Sequence, residues 1–90
     1  MQNGFRSWSD IRVFLAVFRE GSTLAASRKL GVAQPTVARR IEALESETGL
    51  TLFERDTRGF KPTDHARDLF PLAQAMETQA DTFATKTREL

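Results

Sequence analysis

Cysteine and tyrosine are both absent from the 90 residues, and histidine occurs once, at His65. Without cysteine there can be neither a disulfide framework nor a thiolate zinc site. One histidine excludes a cluster of His ligands and, with no thiol available, most nucleophile–base pairs built on His or Cys. No apolar run approaches the roughly 18 residues that a membrane span needs, and the opening MQNGFRSWSD lacks the apolar stretch of a signal peptide. A dominant charge is missing as well. Thirteen Lys+Arg against twelve Asp+Glu leave +1, while 40% hydrophobic and 28% charged residues are ordinary for a folded soluble chain. These exclusions favour one small cytoplasmic module that is not an enzyme and carries neither metal nor cofactor. His65 lies beside Asp64 and Asp68 at a helix start, where the group reads as capping and surface charge rather than a catalytic pair.

What charge there is falls unevenly. Residues 21–41 contain no acid, yet Arg28, Lys29, Arg39 and Arg40 contribute +4. Glu42, Glu45 and Glu47 follow, and basic residues return at Arg55, Arg58 and Lys61. Ten basic and seven acidic residues give +3 over residues 1–62; three and five give −2 over residues 63–90. Local basic clusters on a nearly neutral chain suit contact with a polyanion through one limited face. Solvated surface is the plainer reading of charge alone.

The periodicity predicts a mainly α chain. Ile11, Phe14, Leu15 and Phe18 form one helical stripe over residues 8–19, with Ser7 or Ser9 as cap, Gly21 as stop and Trp8 packed at the entrance. A short second helix is capped by Ser22 or Thr23, buries Leu24, Ala26 and Leu30, and ends at Gly31. The third opens in the Ala33-Gln34 region with Pro35 in its first turn, buries Val37, Ile41 and Leu44, and ends near Thr48-Gly49. Two helices joined by a tight glycine-containing turn make a helix-turn-helix. Leu50–Phe53 and Phe60-Lys61 are then strand candidates bracketing Glu54–Gly59, a small wing.

From Thr63 to Leu90 the chain reads as one long helix capped by Thr63. Ala66, Leu69, Ala73, Met76, Ala80, Phe83, Thr87 and Leu90 repeat at alternating spacings of three and four, a heptad seam that would face a second chain. Pro71, well inside this helix, should kink it at about 3 kcal/mol.

The outward face of the third helix holds Pro35, Ala38, Arg39 and Glu42, flanked by Thr36 and Arg40. Its first half is small, polar or basic, and its second half is acidic. A helix that enters a DNA groove by its amino end needs that polarity, because small residues admit the backbone and Arg offers a fork to guanine. An Arg at the wing tip can enter the minor groove. An ordinary amphipathic surface helix is the competing interpretation, and a winged-helix protein-interaction module without specific DNA binding is the competing function.

The run GSTLAASRKLGVAQPTVARRIEALESETGLTLFERDTRGFKPT resembles the winged helix-turn-helix of LysR-type transcriptional regulators. Gly21-Ser22, Gln34-Pro35, Arg39, Ile41–Glu45, Gly49, Leu52–Arg55 and Thr63 carry the resemblance. Molybdate-responsive winged-helix regulators fit Gln34-Pro35 and Leu52–Arg55 less well. Ala33 stands where a capping serine is common, Ala38 where a serine is frequent, Ala66 for a glycine and Ser27 for an alanine. The resemblance implies a DNA-binding domain over residues 1–62 and a linker helix over residues 63–90. It implies major-groove contacts from Gln34, Pro35, Thr36 and Arg39, with Arg40 on the flank, and Arg58 in the minor groove. Lys61 and Arg55 would meet phosphates, although Arg55 could instead serve the hairpin. It also implies a homodimer on double-stranded DNA, its two long helices antiparallel through Leu69, Ala73, Met76, Ala80 and Phe83. A tetramer of the full-length protein and a small-molecule effector would both depend on a larger domain expected beyond residue 90. No membrane partner is implied.

Overall fold

Ser7 sets the start of the first helix. Its backbone is extended (φ −134°, ψ 128°) and its hydroxyl accepts from the Ser9 N–H, so Ser7 is the cap. The computed structural model describes residues 7–90, and the charge at Arg6 lies outside them. Along these residues run α1 (Trp8–Glu20), α2 (Thr23–Leu30), α3 (Gln34–Thr48), β1 (Phe53–Asp56), β2 (Gly59–Pro62) and α4 (Asp64–Glu89). Three helices, a two-stranded antiparallel wing and a long closing helix are the expected mainly α architecture. Among the described residues, no helix is long and apolar enough to cross a membrane.

The stripe of α1 supplies the centre of the core. Ile11, Phe14 and Leu15 are buried against Ala26 of α2 and Val37, Ile41 and Leu44 of α3, with Trp8 and Phe18 packed at the edge. An aromatic chain crosses the domain. Phe70 of α4 stacks on Phe18 at 4.1 Å, Phe18 meets Phe14 at 6.1 Å, Phe14 meets Phe53 at 5.7 Å, and Phe53 meets Phe60 at 6.1 Å. These tilted and stacked pairs join α1, α4 and the wing to one core.

Leu24 corrects the reading of α2. It is 45% exposed, whereas Thr23, Ala26 and Ser27 are buried and Leu30 packs on the core. Those four occupy the i, i+3, i+4, i+7 face turned toward α1, and Leu24 falls outside it.

The wing also differs from expectation. Its first strand starts at Phe53, so Leu50–Leu52 form an extended approach, and pairing runs outward to Asp56 opposite Gly59. Only Thr57 and Arg58 remain in the turn. The approach segment is held by a side chain: the Glu45 carboxylate accepts from the Leu52 N–H at 2.7 Å and the Phe53 N–H at 3.2 Å. With the Leu52 and Phe53 N–H groups satisfied there, neither needs a strand partner.

Thr63 closes the wing and opens α4. Its hydroxyl donates to the Thr51 carbonyl at 2.7 Å and accepts from the Ala66 N–H at 3.2 Å. The helix then continues through Pro71 to Glu89 without a break. Pro71 is exposed, so its ring meets solvent while the Arg67 carbonyl forgoes an intrahelical partner.

Candidate nucleic-acid interface

The exposed front of α3 is set by what its other side buries. Val37, Ile41 and Leu44 turn inward, which leaves Pro35, Arg39 and Glu42 exposed and Thr36, Ala38 and Arg40 at the margins, the distribution expected. Ala33 occupies the N-cap with extended backbone (φ −69°, ψ 146°) and no side-chain cap bond. Pro35 has no N–H, and the Thr36 and Val37 N–H groups donate to the Ala33 carbonyl at 3.0 and 3.3 Å, so the first turn closes on its own backbone instead. Replacing Ala33 by serine is expected to stabilise the domain by about 1 kcal/mol, measured by chemical denaturation.

Gln34 is exposed, but its amide is not loose. Its Nε2 donates to Thr23 Oγ1 at 2.8 Å, from the first residue of α3 to the first residue of α2. Arg39 remains exposed, with one long contact of 3.4 Å to Thr36 Oγ1 on the preceding turn. Between α3 and the wing lies an open groove lined by Thr23, Gln34, Pro35, Ala38, Arg55 and Phe60.

Two of the basic residues are held by their own chain. Arg40 donates to Asp10 Oδ1 at 3.2 Å, and the Asp10 side chain is only 8% exposed. A carboxylate buried that deeply needs a cationic partner, so the guanidinium has a structural duty linking α3 to α1. Arg55 lies 5.0 Å over the Phe60 ring and 3.5 Å from Glu42, spanning wing and helix, which favours the hairpin role left open for it. Arg58 and Lys61 are exposed, Arg58 in the two-residue turn, where the Asp56 carboxylate accepts from its backbone N–H at 2.7 Å.

The long helix divides its seam. Ala73 is buried in this chain's own core, and half-buried Leu69 and Met76 pack against it, so the first part of the seam lies along α1. That packing is incomplete: an apolar cleft of about 290 Å³ remains among Ile11, Phe14, Leu44, Leu52, Leu69 and Met76. Ala80 is half-buried, Phe83 is 72% exposed, and Leu72, absent from the seam, is 64% exposed. At about 1.5 Å per residue, the last turns of α4 run beyond the domain that covers the first.

Arg19 fastens α1 to the middle of α4. Its two terminal nitrogens reach the two Glu77 oxygens at 3.1 and 2.8 Å, and its guanidinium sits 5.6 Å over Phe70. The hydrogen bond from Arg19 holds the Glu77 carboxyl below its ordinary range, and the same bond raises Arg19. At 38% and 35% side-chain exposure the pair contributes no more than about 1 kcal/mol.

Sequence reasoning passed over Thr23 and Asp10. The sequence assigns Asp10 no role, because its partner stands 30 residues away. Thr23 looked like a cap, although Ser22 is the cap and accepts from the Ala25 N–H.

Known proteins share this arrangement. ClcR, a regulator from Pseudomonas putida, is 47% identical over 54 residues, which is 60% of this chain and 18% of that protein. A BenM DNA-binding domain bound to catB site 1 DNA superposes with a TM-score of 0.87 at 32% identity, covering 93% of this chain and 94% of that one; BenM itself comes from Acinetobacter baylyi. A CbnR DNA-binding domain in complex with DNA gives 0.85 at 28% identity, covering 93% and 97%. The chain spans 18% to 34% of the length of the first curated relatives it matches. Residues 8–67 match the family model described as bacterial regulatory helix-turn-helix protein, lysR family, and the chain belongs to that family.

Proposed function

We propose that this chain binds duplex DNA sequence-specifically as a homodimer, with the amino-terminal turns of α3 in the major groove and the wing against the adjacent minor groove. The observation that carries it is the acid-free opening of α3, residues 34–41, with Arg39 exposed beside a wing whose Arg58 and Lys61 are also exposed. Likeness to two DNA-binding domains solved in complex with DNA supports duplex DNA as the partner. Arg39 would read a base through its fork, Gln34 would read another, and Arg58 would sense groove width under the wing. Lys61 would bind phosphate, making affinity steeply salt-dependent.

Exposed Leu72 and Phe83 on α4 support association with a second copy, since large apolar side chains favour leaving water. Two recognition helices related by a two-fold axis would then require an operator of matching symmetry.

Arg39→Ala tests the reading in a fluorescence anisotropy titration. The expected loss is about 1–3 kcal/mol on a selected site, with preference relaxed at one base pair per half-site. Equal losses on selected and random duplexes would contradict base reading by Arg39.

A further inference from the structure

We propose that Thr23 is a positioning residue that fixes the Gln34 amide for base reading, so that the α2–α3 contact sets sequence preference from a buried residue at the wall of the groove. This rests on the DNA-binding reading above. Thr23 is 7% exposed, and its hydroxyl oxygen is the acceptor 2.8 Å from Gln34 Nε2. Gln34 is the first residue of α3, next to Pro35, whose ring fixes its own backbone dihedral and restricts that of Gln34. Both backbone and side chain of Gln34 are thereby held before any ligand arrives, in a groove open to solvent.

A primary amide has two N–H donors and one carbonyl oxygen. Thr23 taking the N–H anti to the carbonyl oxygen leaves the syn N–H and the oxygen together on the outer edge. That adjacent donor–acceptor pair complements the N7 and N6 amino group on the major-groove edge of adenine. An unrestrained glutamine would sample other rotamers and present its donor or its acceptor singly, which many base edges satisfy. The lock would therefore act on discrimination more than on attachment, which the proposed reading gives to Lys61 on the wing.

The test compares the 90-residue protein with Thr23→Val, Thr23→Ser and Gln34→Ala. Each is titrated against duplexes carrying all four base pairs at every position of a selected half-site, and against a random duplex. Wild type and Thr23→Ser are expected to prefer adenine at one symmetric position, by about tenfold. Thr23→Val and Gln34→Ala should lose that preference, at that position only, while binding to random duplex changes less than about twofold. Valine keeps the volume and removes the hydroxyl, so a packing role alone would not move the base profile. An unaltered base profile in Thr23→Val overturns the inference and leaves DNA binding standing. Absence of salt-sensitive binding of wild type to any duplex overturns both.

Discussion

Alanine at position 59 is expected to unseat the wing and lower the free energy of unfolding by about 2–5 kcal/mol. Gly59 has φ of 128°, beyond the left-handed helical region that other residues occasionally enter. A Cβ there would also collide with the Gly21 carbonyl oxygen, and backbone cannot swing aside as a side chain can. That carbonyl accepts from the Phe60 N–H at 3.0 Å, the bond that ties the wing to the corner between α1 and α2. Gly21→Ala is the natural comparison. Gly21 also has positive φ, 78°, but a Cβ there meets nothing within 4 Å, so only the backbone strain of about 1–2 kcal/mol applies. Urea denaturation of both variants checks the difference. Equal losses would show that the wing tolerates displacement from the helical corner.

Phe14→Ala is expected to cost about 3–5 kcal/mol, a large part of the stability available to a domain of this size. Phe14 is 2% exposed, and its ring touches Phe18 on one side and Phe53 on the other. It also borders the apolar cleft that α4 leaves open, so its removal would enlarge an existing gap instead of one that neighbours can close. Thermal unfolding should show a broad loss of cooperative signal at temperatures where wild type is folded. A shift no larger than that of a surface substitution would place the centre of the core elsewhere.

Helical period was the legible part of the sequence. Ile11, Phe14, Val37, Ile41 and Leu44 are buried where their spacing put them, because a stripe three and four residues apart has one way to face inward. Leu24 was misread because α2 has only two turns, too short for a stripe to outweigh the general preference of leucine for the interior. The wing shifted because its boundary depends on Glu45, a helical side chain whose hydrogen bonds to Leu52 and Phe53 no local pattern announces. The heptad seam on α4 was real as a pattern yet ambiguous in target. A helix that packs on its own domain and one that packs on a twin show the same repeat, and only the fold assigns Ala73 to the interior and leaves Phe83 outside. Among the basic residues, sequence could mark Arg39, Arg40 and Arg55 but not separate free from engaged. That distinction came from Asp10, Glu42 and Phe60, brought near by folding.

Selection of binding sites from random duplex DNA with the 90-residue protein tests the groove-reading dimer most directly. Two inverted half-sites, their centres about 10 base pairs or slightly more apart, are the expected result. A pool without enriched sequence, or one asymmetric site bound by a single copy, would contradict it.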